Sequence, residues 1–256
     1  MRLSPLLAAG TIGSQILWVL VSGTTRDWFT IAGVVLFFLA SLTHSLATQP
    51  PAWTATFFAV ALGFGWLVEA VGTTTGVPFG DYSYADRLGP ALGPVPAVIP
   101  LAWAMMGYPC YVVAARATRS RLGRIALAAG LLASWDLFLD PQMVSEGHWS
   151  FAAPQPTLPG VPGIPLSNFI GWIIAATVVM VIADVLAGPP PQPPDLWSVP
   201  VVLLAWVYCS NILANAVFFG RPAVAVIGAI GMGIPMAVAL RGLRRASPRS
   251  DAVAAT

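Results

Sequence analysis

The chain has 256 residues, a formal net charge of +2, 9% charged side chains and 57% hydrophobic ones, with a mean hydropathy of +0.79. A soluble domain carries roughly a quarter charged residues, so this composition excludes a water-solvated globule, and so small a net charge offers no basic surface for nucleic acid. All twelve basic residues are arginine, which excludes a Schiff-base or phosphate-loop lysine.

A bilayer span needs about 20 mostly apolar residues. Such runs predict helices at 4–23, 28–47, 54–72, 97–115, 123–140, 167–187, 198–218 and 222–240. The expected fold is all-α, a polytopic bundle of about eight spanning helices. It forms a single transmembrane domain over 1–245, with a short polar tail at 246–256. The first run has the length of a span and lacks a small-x-small cleavage site, so it reads as a helix and not a signal peptide. Connections 73–96 and 141–166 are long, rich in Gly and Pro, and expected as loops; GPPPQPPD at 188–195 is a stiff turn. Cys110 and Cys209 both fall in apolar runs, which predicts buried free thiols.

Arginine distribution sets the orientation. With a cytoplasmic N terminus, the inner segments hold Arg2, Arg116, Arg119, Arg121, Arg124, Arg241, Arg244, Arg245 and Arg249, and the outer ones hold Arg26, Arg87 and Arg221. This predicts an integral protein of a bacterial cell membrane with both termini cytoplasmic and both long connections outside.

The carboxylates then divide. Asp27, Asp86, Asp195 and Asp251 lie in loops or tail and are expected to be solvated, and Asp184 to snorkel to the interface. Glu69, in GFGWLVEAVG, and Asp136 and Asp140, in SWDLFLDP, stand near the outer ends of helices three and five; Asp81 lies in PFGDYSY, and Glu146 and His148 in SEGHWSF. Ionisable groups at membrane depth are costly and mark function, although snorkelling and helix capping are the structural alternatives. Asp136 and Asp140 are four apart, so one helix face carries both, with Cβ atoms about 6 Å apart. Pro141 is expected to end the helix at Asp140. Two carboxylates this close in a low dielectric resist double ionisation, and such a dyad can serve as a general acid. Glu69 can join it or activate water.

Trp66, Tyr82, Tyr84, Trp103, Trp135 and Trp149 accompany these carboxylates. They read either as an interfacial aromatic belt or as a pocket whose π faces steady a cation. Asn168, Asn211 and Asn215 lie inside spans, where they either bridge helices or position water or a substrate oxygen. His44 and His148 show no metal-ligand spacing, so no metal site and no cofactor are expected. Asp136 and Asp140 also form the D-x-x-x-D pair of a Mg-dependent membrane prenyltransferase, but a second Asp-rich motif is absent.

The runs VEAVGTTTGVPFGDYSY (68–84), LGPVPAVIPLAW (92–103), SWDLFLDPQMV (134–144) and GVPGIPLSNFIGW (160–172) resemble the integral-membrane carotenoid 1,2-hydratase family, over roughly residues 60–185. The resemblance implies a cofactor-independent hydratase that adds water to the terminal 1,2 double bond of an acyclic carotenoid end group. Its partners would be a lipophilic carotenoid or terpenoid, water and the lipid bilayer. The residue reading fits that reaction, with Asp136, Asp140, Glu69 and Asp81 as the candidate catalytic residues. Candidate substrate contacts are Trp66, Tyr82, Tyr84, Trp103, Trp135, His148, Trp149, Asn168, Asn211 and Asn215. The alternatives are a membrane terpene or carotenoid cyclase using the same protonation, a Mg-dependent prenyltransferase, and a non-catalytic carotenoid carrier or scaffold.

Overall fold

The fold is seen in a computed structural model, which describes residues 3–192 and 194–246. Of the tail expected at 246–256, Ala246 closes the last helix and the rest lies outside the described residues, as do Arg2, Arg249 and Asp251. Within them, helices run α1 (Leu3–Leu20), α2 (Gly23–Thr48), α3 (Pro51–Thr75), α4 (Val98–Ala117), α5 (Arg121–Ser145), α6 (Leu166–Leu186), α7 (Val199–Leu213) and α8 (Pro222–Ala246), with α7 continued by a π-helical turn at Ala214–Phe218. All eight are long and apolar enough to cross a membrane. Helices suit that solvent because they satisfy their backbone groups internally. Local signals set their ends: α3 begins with Pro51 in its first turn and stops at Gly76, whose φ of 75° is left-handed and suits glycine.

The most buried helix, α4, stands at the centre, with α2, α3, α5, α7 and α8 packed around it; α6 lies against α5 and α3, and α1 along α2. Helices in lipid associate through close packing at small residues. A Cβ on Gly228 of α8 would come within 2.2 Å of the Phe138 ring on α5, and one on Gly242 within 2.4 Å of the Ala117 carbonyl on α4. The outward face of α6 carries exposed Ile170, Ile173, Ile174, Val178 and Val181, which suits contact with lipid.

Several expectations are corrected. Helix α5 runs through Pro141 to Ser145, so Asp140 is not at the helix end. Proline removes one helical bond, but tight packing tolerates a single loss, and Arg221 Nη1 donates to the Pro141 carbonyl at 2.7 Å. The two long connections form short ribbons instead of loops. β1 (Tyr82–Tyr84) pairs antiparallel with β4 (Trp149–Phe151), β2 (Ala91–Leu92) with β3 (Val95–Pro96), and β5 (Thr157–Leu158) with β6 (Val161–Pro165). Cys110 is buried, but Cys209 is exposed.

Charged groups gather at the two ends of the bundle. At the end without ribbons, Asp184 is 6% exposed and does not snorkel. It accepts from Tyr111 Oη (2.9 Å), Arg124 Nε (2.7 Å) and Arg121 Nε (2.8 Å), tying α4, α5 and α6 together. At the ribbon end, Asp27 is buried and not solvated, because the folded connections cover the start of α2; Arg87 Nη2 donates to it at 2.8 Å. Arg26 Nη1 holds Glu146 at 2.9 Å.

Candidate active site

Glu69 lies on a face of α3 between two glycines, and each makes room for one of its partners. A Cβ on Gly65 would stand 2.7 Å from Trp103 Cβ, and one on Gly72 would stand 2.8 Å from the Tyr82 hydroxyl. Trp103 Nε1 therefore reaches Glu69 Oε1 (2.9 Å), while the hydroxyls of Tyr84 (2.6 Å) and Tyr82 both donate to Oε2. Glu69 is 4% exposed, and these three donors complement its negative charge. Burial, reinforced by the charge of Glu69, pushes both phenol pKa values well above their ordinary range. Tyr82 and Tyr84 thus remain protonated donors.

Asp136 and Asp140 project from one face of α5 toward Asn168, two residues into α6. The Asn168 side-chain amide donates to Asp136 Oδ2 at 2.9 Å and also to Asp140 Oδ2. Trp149 Nε1 donates to Asp140 Oδ1 at 3.2 Å. Asp136 is fully buried, and its Oδ1 has no hydrogen-bond partner among the described residues.

The β1–β4 ribbon brings these two centres together. Its register sets Tyr82 opposite Phe151, Ser83 opposite Ser150 and Tyr84 opposite Trp149. Side chains alternate across a strand, so four aromatics share one face and both serines the other. The aromatic face supplies two donors to Glu69 and one to Asp140. Facing it, Trp103 and Trp172 stack with centroids 4.6 Å apart, and Trp135 meets Trp172 edge-on at 6.2 Å.

A cavity of about 500 Å³ lies among these groups, lined by Glu69, Asp140, Asn168, Tyr82, Tyr84, Trp103, Trp135, Trp149 and Trp172, and farther off by Asn211. Asp136 stands behind Asp140 and Asn168 and does not line it. Asp81 is exposed and outside it. Trp66 is 38% exposed and donates to the Leu92 carbonyl at 3.0 Å. His148 is fully buried beside Asp27, with 3.8 Å from Nε2 to Oδ1. Burial pushes its pKa down, leaving a neutral ring. Asn215 is buried, and its amide donates to the Asn211 carbonyl at 2.9 Å. Phe79, Gln142 and Trp172 line the cavity without having been singled out from the sequence. Trp172 had a signal, since it follows Asn168 by one helical turn. Among the described residues no three His, Cys, Asp or Glu side chains gather into a set able to hold a metal ion.

Fold and site define a polytopic helical membrane protein whose spanning helices enclose an aromatic cavity with two carboxylate centres. A family described as carotenoid biosynthesis protein matches residues 28–239, and the chain belongs to that family. One relative, the bisanhydrobacterioruberin hydratase of Haloarcula japonica, is 29% identical over 126 residues, covering 47% of this chain and 41% of the relative. The matched part is thus less than half the length of that relative. No solved structure matches the chain.

Proposed function

We propose that the protein is a cofactor-independent hydratase that adds water to the terminal 1,2 double bond of an acyclic carotenoid end group. The observation that carries this reading is one aromatic cavity lined by two carboxylate centres with contrasting partners, Glu69 held by three donors and Asp140 sharing one amide with Asp136. A trisubstituted alkene has no carbonyl to polarise, so hydration starts with a proton from a strong acid. Asp140, which faces the cavity, delivers that proton to C2, and a tertiary cation forms at C1. The Trp103–Trp172 stack and the phenol rings steady the cation through their π faces. Water attacks C1, and Glu69 takes the proton that this water loses. Return of that proton from Glu69 to Asp140 through a cavity water completes a cycle whose net change is addition of one water. Asn168 and Asp136 position Asp140, and Trp149 fixes its orientation. The name of the Haloarcula japonica relative and the family support the substrate class.

The arginines suit an N terminus on the cytoplasmic side. Arg116, Arg119, Arg121, Arg124, Arg241, Arg244 and Arg245 belong to the end without ribbons, whereas Arg26, Arg87 and Arg221 at the ribbon end are bound to Glu146, to Asp27 and to the Pro141 carbonyl. The active site then lies near the extracytoplasmic surface, within a single domain.

The test is expression in cells that make lycopene or bisanhydrobacterioruberin, followed by mass analysis of the pigments. A gain in mass of one water per reacted end group is the expected result, unchanged by excess EDTA. Unaltered pigment with both substrates overturns the proposal. A cyclised product of unchanged mass would replace hydration by cyclisation.

A further inference from the structure

The cavity does not end at the carboxylates. It runs past Val98, Ala102 and Met106 of α4 to a wall made by α1, α2 and the end of α7. There α1 and α7 touch at two clasps. Trp206 Nε1 donates to Gln15 Oε1 at 2.6 Å, and Phe219, just past the π-helical turn, meets Trp18 edge-on at 5.5 Å. Arg26 lies over Trp18 at 4.6 Å and Arg221 over Phe219 at 4.8 Å, so the second clasp sits at the polar rim. Only one turn of α1 separates Gln15 from Trp18, whereas Phe219 lies thirteen positions after Trp206. The clasped stretch of α7 and its continuation is thus longer than the clasped stretch of α1.

Between the clasps, Cys209, Ser210, Asn211, Leu213 and Ala214 line the cavity. The widened turn of this stretch is a π-helix, a feature found often at functional sites. Residues that line the cavity here also open outward: Leu20 is 73% exposed, Ile16 49%, Leu213 56% and Phe218 58%. All four are apolar and lie on spanning helices or their continuation, which suits an opening toward lipid. A cavity of about 500 Å³ has the volume of a site for a drug-sized molecule, too small for a whole long polyene.

We propose that the gap between α1 and the end of α7, framed by the Gln15–Trp206 and Trp18–Phe219 clasps, is a lateral mouth. Through it a long polyene lies half in the cavity and half in lipid while its end group reaches Asp140. This inference rests on the proposed hydration for the identity of the occupant, and it adds the route. It follows that one end group is processed per visit: a molecule with two reactive ends must leave, turn round and re-enter.

Cys209 offers a native reporter, because it lines the mouth and Cys110 is fully buried. The full chain in lipid vesicles is treated with N-pyrenylmaleimide, which partitions into bilayers, with and without lycopene or bisanhydrobacterioruberin. A membrane-impermeant methanethiosulfonate is added from water in parallel. The expected result is that the lipid-borne reagent modifies Cys209 faster than the aqueous one, and that the carotenoid slows this labelling several-fold. The same slowing is expected in Asp140→Asn, which binds without turning over. Hydration without any slowing overturns the mouth and leaves the hydratase reading standing. Slowing without hydration in the wild type supports the mouth and overturns the hydratase reading. Faster labelling from water, or no labelling by either reagent, overturns an opening toward lipid.

Discussion

Asp136 and Asp140 look equivalent in sequence, but their substitution by asparagine is expected to have unequal effects. Asp140 lines the cavity, and in Asp140→Asn the new amide oxygen can still accept from Trp149 Nε1, but the amide nitrogen then replaces the oxygen that accepted from Asn168, so that bond is lost together with the transferable proton. General acid catalysis contributes about 10²- to 10⁴-fold, which is roughly 3–5 kcal/mol of barrier. The Asp140→Asn rate is expected to fall by that factor or more. Asp136 has no face on the cavity. What Asp136→Asn removes is the charged acceptor of the Asn168 amide, 2.9 Å away. A hydrogen bond to a charged group contributes about 1.5–3 kcal/mol, so the loss is roughly 10- to 150-fold, smaller than for Asp140→Asn. The assay is the initial rate of pigment hydration in membranes, normalised to inserted protein measured by size exclusion after solubilisation. Wild-type rates in Asp140→Asn would refute the assignment of the acid. A more severe loss in Asp136→Asn than in Asp140→Asn, with equal insertion, would move the donor to Asp136.

Other expectations follow from the same geometry. Glu69→Gln supplies one acceptor oxygen where three donors converge, leaving a buried donor unpaired at about 1–3 kcal/mol; the variant should lose hydration and show a lower thermal aggregation midpoint in detergent, and an unchanged midpoint would show that the three bonds contribute nothing. Gly65→Ala places a Cβ 2.7 Å from Trp103 Cβ; the overpacking costs about 1–3 kcal/mol, more than the gain in helix propensity of up to about 1 kcal/mol, and a stability equal to wild type would argue against the close approach. His148 has a folded pKa lowered by burial, so its contribution to stability is present above the unfolded value of about 6.5 and is lost as pH falls through the folded value. His148→Gln should flatten that acid limb in a pH series of melting midpoints, whereas an acid limb identical to wild type would refute the assignment to His148.

The helices were legible because a bilayer demands long apolar runs, and their ends erred where local rules met packing. Pro141 disfavours helix at the residue before it, yet α5 continues because its surroundings hold the geometry. The i,i+4 spacing of Asp136 and Asp140 was visible, since it belongs to one helix. Their unequal access was not, because it depends on Asn168 and on Trp149 from a later ribbon. That ribbon pairs Tyr82 with Phe151, partners far apart in sequence. The alternation Tyr-Ser-Tyr and Trp-Ser-Phe was its only local trace. Asp27 looked solvated because nothing near it announces Arg87, which arrives from another connection. Cys209 looked buried because apolar runs do not distinguish a packed face from one that borders a cavity.

The ribbon also explains how buried carboxylates persist in so apolar a protein. A carboxylate taken out of water without partners is severely penalised. Here the compensating donors come from segments that cannot fold alone: a two-stranded ribbon is marginal in isolation, and its aromatic face needs cover. Burying that face against α3 and α5 places the Tyr82 and Tyr84 hydroxyls on Glu69 and the Trp149 indole on Asp140. The apolar half of each ring closes the cavity and its polar tip satisfies an acid. Replacing a ring by leucine therefore removes wall and donor together, whereas Tyr84→Phe removes the donor alone. The two substitutions separate stabilisation of the cation from the holding of the base.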